Sequence, residues 1–198
     1  MLDASLRRRL LELARGAVEA AVRGESGGRG REGARPADSG EPAWAELPSR
    51  GVFVTLSSGG RLRGCIGTFH PQGPLNETVR AMAAAAASDP RFVERPIHPE
   101  DVSGLRIEIS VLSALERTDS PHSLKIGTHG LYIRSPGGTG CFLPQVAVEF
   151  GWDAAEFLSR CCTEKAGLGS DDWRRPDTEV YLFTVEKFED SPPRSAAT

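Results

Sequence analysis

Two short β-rich runs flank a reversal: Gly51-Val52-Phe53-Val54-Thr55-Leu56 and Arg61-Leu62-Arg63-Gly64-Cys65-Ile66-Gly67-Thr68, joined by Ser57-Ser58-Gly59-Gly60. Runs of this kind across a Ser/Gly turn read as a β-hairpin, and a hairpin commits its strands to antiparallel pairing. Whatever else the chain forms must accommodate that pairing. Side chains alternate faces along a strand, so the spacing puts Leu62 and Ile66 on one face and Arg61, Arg63 and Cys65 on the other. Gly64 and Gly67 leave space beside the thiol, where backbone or a ligand can come close. A fixed cation near a thiol favours the thiolate, its reactive form.

The flanking patterns alternate between helical and strand periods. Leu6, Leu10, Leu13, Ala17, Val18 and Ala21 recur at helical spacing within residues 1–23, with Asp3 or Ser5 as N-cap. Residues 24–43 are rich in Gly, Arg, Glu, Ser and Pro and read as a flexible linker or insertion. Within them Gly28-Arg29-Gly30-Arg31-Glu32-Gly33 matches GxGxxG, but it follows a helix in polar sequence. The dinucleotide motif works between a strand and a helix, so the match is rejected. Pro74 opens a helix reaching about residue 88, with Leu75, Val79, Met82, Ala83 and Ala86 on its buried face. Asp89-Pro90 ends it, because the residue before a proline avoids helical geometry.

Leu105, Ile107, Ile109 and Val111 alternate with polar residues as a strand does. Leu131-Tyr132-Ile133-Arg134 and Cys141-Phe142-Leu143 flank a turn at residues 135–140. A short helix starts at Leu143-Pro144-Gln145-Val146. Another begins at Trp152-Asp153 and runs to about Ala166, where Gly167 suits its stop. Residues 178–188 form the final strand and 191–198 a frayed tail. This order predicts an α+β fold with a mostly antiparallel or mixed sheet flanked by helices, built from residues 44–190, and argues against a doubly wound parallel sheet.

Composition removes several functions. Net charge is −3, so no nucleic-acid or anionic-membrane affinity is implied. The four cysteines, Cys65, Cys141, Cys161 and Cys162, form no CxxC pair, so neither a zinc site nor a disulfide framework is expected. No metal or cofactor site is read from the sequence. The start lacks a signal-peptide pattern, and no apolar run reaches membrane-spanning length. The expected setting is the cytoplasm, with reduced thiols.

GVFVTL, LRGCIGT, DPRF, EISVL, HGLYI, LPQVAVE, EFL and EKAGL occur in this order. Together they resemble the AMMECR-type domain family, also called AmmeMemoRadiSam system protein A, over roughly residues 47 to 188. Residues 24–42 depart from the family pattern. Cys162 stands where the family's late helix cysteine is expected. The resemblance implies two lobes with a cleft between them. It also implies two partners, a Memo-type protein and a radical S-adenosylmethionine enzyme.

Cys65 is the leading nucleophile or covalent carrier; the competing reading is a packing thiol. Arg63 could stabilise a thiolate or bind a carboxylate or phosphate, or form an ordinary salt bridge. Asp89 and Arg91 flank the helix break, where they could pair with each other or Arg91 could line the cleft. His129, in a glycine turn, could take the Cys65 proton if the fold brings them together, or be an ordinary turn residue. Gln145 offers an amide at a helix start, or caps the helix. Cys141, Cys161 and Cys162 are read as packing residues. Two functions stay open: an enzyme component using Cys65 on a small anionic or carbonyl substrate, and a non-catalytic binding module for the Memo-type or radical partner.

Overall fold

A computed structural model describes residues 1–25 and 48–190. The expected linker, from residue 26 onward, and the expected tail, 191–198, lie outside the described residues. The chain divides into two compact units: one runs to Val111 and resumes at Lys187, the other is Leu112–Glu186.

In the first unit, helix α1 (Ala4–Val22) starts where the Asp3 carboxylate accepts the Leu6 N–H at 2.8 Å, satisfying a donor the helix cannot. Leu10, Ala14 and Val18, four residues apart, form its fully buried stripe. Strands β1 (Val52–Ser58), β2 (Arg61–Thr68), β3 (Arg106–Leu112) and β8 (Val185–Glu189) form a sheet in the order β2-β1-β3-β8. Both neighbours of β1 are antiparallel to it: Val54 faces Ile66 on β2 and Ile109 on β3. One sheet face, with Val52, Val54, Leu56, Ile107 and Ile109, packs into a core with α1 and α2 (Leu75–Ala87). Leu75, Val79, Ala83 and Ala86 of α2 are fully buried, and burying a Leu or Val contributes roughly 1.5–3 kcal/mol.

Arg15 ties α1 to the rest of this unit. Its guanidinium donates to the carbonyls of Val102 (2.8 Å) and Leu105 (2.9 Å) and to Asp190 Oδ2 (2.6 Å). The other Asp190 oxygen accepts the Ile107 N–H at 2.9 Å.

The second unit holds β4 (Glu116–Thr118), β5 (Gly130–Ser135), β6 (Gly138–Phe142) and β7 (Glu179–Phe183) in the order β4-β7-β5-β6, antiparallel throughout. Its core includes Leu131, Ile133, Phe142, Phe157, Leu158, Cys161 and Cys162. Helices α3 (Pro144–Phe150) and α4 (Ala154–Arg160) follow β6. Asp153 caps α4 by accepting the Glu156 N–H at 2.8 Å.

Three expectations are corrected here. The single strand expected over 178–188 is two strands, β7 and β8, in different sheets; the alternation of Tyr181, Phe183 and Val185 continues across the break and hides it. The helix expected to run to Ala166 widens after Arg160 into a π-helix, Cys161–Ala166, ended by left-handed Gly167. The turn expected over 135–140 is shorter, because Gly138 already opens β6. A Cβ on Gly140 would lie 2.6 Å from the Ala166 nitrogen, and one on Gly138 would strike the Ala166 carbonyl. These glycines admit the π-helix backbone against the strand. β4, three residues long, carried no sequence signal.

Candidate functional site around Cys65

The β1–β2 hairpin turns through Gly59 and Gly60, both at positive φ (56° and 74°), as a two-residue hairpin turn requires. Pairing starts at Ser58–Arg61 and Ser57–Leu62, then jumps to Leu56–Gly64. Arg63 is therefore an extra residue, a β-bulge on β2. One inserted residue inverts the alternation beyond it. This corrects the expected faces. Leu62, opposite Ser57, shares the face of Cys65, opposite Thr55, and is 46% exposed. Gly64 and Ile66 lie opposite core residues Leu56 and Val54.

The bulge also directs Arg63. Its guanidinium donates to the Pro96 carbonyl at 2.9 Å and lies 3.5 Å from the Asp101 carboxylate. The cation bonded at Cys65 is Arg91. Asp89 ends α2 and begins the 3-10 turn Pro90–Phe92, accepting the Arg91 N–H at 3.0 Å. Its side chain has no solvent exposure. It also takes two bonds from the Arg91 guanidinium, at 3.0 Å from Nε and 2.6 Å from Nη2, and the Cys65 N–H at 2.9 Å. Arg91 Nη2 in turn donates to the Cys65 carbonyl at 2.6 Å. β2 is an edge strand, and Asp89 and Arg91 meet both backbone groups of Cys65 as a neighbouring strand would.

The Arg91 hydrogen bonds, outweighing burial and helped by the Cys65 and Arg91 N–H groups, hold the Asp89 carboxyl well below the usual carboxylate range. Arg91 is pushed up, first by its bond to Asp89 and further by the adjacent Cys65 thiol. Among the described residues Arg91 Nη1 has no hydrogen-bond partner, and the side chain is 59% exposed. On its other side the Cys65 sulfur accepts a bond from the Thr55 hydroxyl at 3.4 Å. A partly exposed thiol thus sits between a hydroxyl donor and a guanidinium with donors to spare. The space at both glycines is filled by the chain itself: a Cβ on Gly64 would strike the Ala86 carbonyl of α2, and one on Gly67 the Phe53 ring.

Cys65, Arg91, Asp89 and Gly64 thus come together in the first unit, with Arg63 bound to its neighbours Pro96 and Asp101. His129 and Gln145 belong to the second unit. His129 Nδ1 accepts the Lys125 N–H at 3.2 Å, so the neutral ring carries its proton on Nε2. Gln145 lies half-buried in the first turn of α3, which has no side-chain cap. Burial pushes up the thiols of Cys141, Cys161 and Cys162. Sequence reasoning missed Thr55. Counting back from a Gly59-Gly60 turn without a bulge pairs Thr55 with Gly64, so the sequence carried no signal for its contact with Cys65.

The AMMECR1 family model matches residues 11–188. A protein of Thermococcus gammatolerans is 42% identical over 196 residues, covering 93% of this chain and 90% of its own length. Protein TK0174 of Thermococcus kodakarensis is 43% identical over the same length and coverage. The crystal structure of the uncharacterised protein PH0010 from Pyrococcus horikoshii superposes with a TM-score of 0.76 at 37% identity, covering 94% of this chain and 92% of that one. With the family model matching residues 11–188 and a relative 42% identical over 93% of the chain, one assignment follows: the chain belongs to the AMMECR1 family.

Proposed function

We propose that the chain works through Cys65 on a small anionic or carbonyl ligand oriented by Arg91, as a component of a system with a Memo-type protein and a radical S-adenosylmethionine enzyme. The supporting observation is the Arg91 guanidinium, fixed by an unexposed Asp89 carboxylate against Cys65 with Nη1 uncommitted. Functional cysteines favour electropositive, partly exposed surroundings, and a guanidinium fork matches carboxylate geometry. With a carbonyl ligand the chemistry balances without a co-reactant. The sulfur bonds to the carbonyl carbon, the C=O π pair moves to oxygen, and the thiol proton ends on that oxygen as a hemithioacetal.

Charge-selective alkylation tests this reading. In a Cys141→Ser background, the rate of Cys65 modification by iodoacetate is compared with that by neutral iodoacetamide. A guanidinium about 6 Å from the reagent's carboxylate, at an effective dielectric of about 40, is worth on the order of 1 kcal/mol. Arg91→Met should therefore lower the iodoacetate-to-iodoacetamide ratio roughly fivefold. Cys65→Ala should abolish turnover by the system reconstituted with both partners. An unchanged ratio, or full turnover without the thiol, would sink the proposal.

Exposed Leu62 beside Cys65 favours a second reading, a non-catalytic surface for one of the same partners. Binding would then survive Cys65→Ser and fail with Leu62→Glu.

A further inference from the structure

We propose that the ligand at Cys65 is a monocarboxylate with an apolar tail, aryl or branched alkyl, and that the rings of Phe53 and Phe69 form the subsite that selects the tail. This rests on the Cys65 reading and names the part of the ligand that Arg91 does not hold.

The strand register lines up the subsite with the thiol. Beyond the bulge Cys65 pairs with Thr55 and Gly67 with Phe53. All four lie on the sheet face opposite Val52, Val54 and Leu56, which are fully buried. Gly67 has no side chain to fill its place on that face, and the Phe53 ring lies across it: a Cβ on Gly67 would strike the ring. Phe69, two residues further along, meets Phe53 edge-on with ring centroids 5.3 Å apart. Both rings are partly exposed. Cys65 and Gly67 are two residues apart on one strand, about 7 Å at ~3.4 Å per residue. On the other side of the thiol, Leu62 is the neighbour on the same face once the bulge is skipped, and it is 46% exposed. The thiol therefore interrupts an apolar stripe that runs along the sheet edge.

Polar groups flank the thiol across the strands instead of along them. On the outer side Arg91 donates to the Cys65 carbonyl at 2.6 Å from beyond the edge strand, and its Nη1 has no hydrogen-bond partner among the described residues. On the inner side Thr55 donates to the sulfur and pairs with Glu108 of β3. Glu108 is neutralised by Lys187 at 2.9 Å, so it does not oppose an anion at the thiol. A carboxylate on the Arg91 fork sits beside Cys65, and its carbon skeleton then has the stripe along β2 to lie on. A tail that reaches Phe53 and Phe69 leaves water for an aromatic pair, which favours an apolar group and strongly favours a ring. 3-Phenylpropionate is long enough to reach from the guanidinium to those rings, and acetate is not.

The test uses the full chain carrying Cys141→Ser, at constant ionic strength so that screening does not vary. The rate of Cys65 modification by iodoacetamide is measured against rising 3-phenylpropionate and, separately, acetate. The expected result is saturable protection by 3-phenylpropionate, with a half-protection concentration about tenfold below that of acetate, the factor for burying about 60 Å² of tail. Phe53→Ala should raise the 3-phenylpropionate value about fivefold. Phe69→Ala, which leaves the Phe53 ring on Gly67, should move it the same way and serves if the first variant fails to fold by far-UV circular dichroism. No protection by 3-phenylpropionate, equal protection by the two acids, or a preference that survives the folded variants overturns the proposal. The iodoacetate-to-iodoacetamide ratio is read without either acid. Equal protection with that ratio still dependent on Arg91 removes the subsite alone, and a ratio indifferent to Arg91 removes the Cys65 reading beneath it.

Discussion

Asp89→Asn tests the arrangement that holds Cys65. The carboxylate accepts two backbone N–H groups and two guanidinium bonds on its two oxygens. The isosteric amide has one acceptor oxygen, so either the Cys65 or the Arg91 N–H loses its partner, and an NH2 is turned toward the guanidinium. An unpaired, partly buried N–H costs about 1–3 kcal/mol, and each lost charge-assisted bond adds to that. Breaking a fully buried ion pair costs about 3–5 kcal/mol, but Arg91 is 59% exposed and water re-solvates it. The expected loss is therefore about 2–4 kcal/mol, read as a lower urea midpoint by far-UV circular dichroism at pH 7. The effect depends on pH with a definite sign. The folded-state pKa of Asp89 is depressed, so its stabilisation is complete above the unfolded value of about 3.9 and is lost as pH falls through the lower folded value. Between pH 7 and pH 3 the wild type should lose roughly 1 kcal/mol of its advantage over the variant. In hydrogen exchange the Cys65 amide should lose protection in the variant. A stability loss under about 0.5 kcal/mol at pH 7, or a gap between the two proteins that widens in acid, would refute the assignment of Asp89 as the anchor.

Two further outcomes follow from the packing. Gly64→Ala drives a Cβ into the Ala86 carbonyl, a backbone atom with nowhere to go, so α2 and β2 must separate. A loss of about 3 kcal/mol or more is expected in thermal or urea unfolding, against roughly 0.5 kcal/mol if the site were slack. Arg15→Met removes the donors bound to Val102, Leu105 and Asp190 and should cost about 2–4 kcal/mol, with faster amide exchange at Ile107; an unchanged midpoint would show that α1 is held by its apolar stripe alone.

Much of the fold was legible before any coordinates. The Gly59-Gly60 reversal, the Pro74 start, the Asp89-Pro90 break and the Leu105–Val111 alternation each state a local preference, and local preferences need no distant partner to be read. The same held for part of the site: Asp89 and Arg91, two residues apart on a turn, do pair. The bulge at Arg63 was not legible, because no local pattern distinguishes a strand residue that is paired from one that is skipped. Missing it put Leu62 and Cys65 on opposite faces, where the structure has them on one, and gave Cys65 the wrong arginine. The glycines of β6 were read as turn residues because the reason for them, the backbone of residue 166, lies far along the chain.

From its sequence alone the chain is an α+β protein with AMMECR-type motifs in order and a cysteine in a glycine-rich hairpin strand. Those properties rest on hydrophobic period, turn chemistry and motif order, all of which operate over a few neighbouring residues. Tertiary structure decided that the strands divide into two four-stranded sheets, that residues 178–188 serve both, and that Arg91 rather than Arg63 is bonded at Cys65. Strand partners and bulges are chosen by long-range backbone pairing, and a shift of one residue there changes which side chains meet.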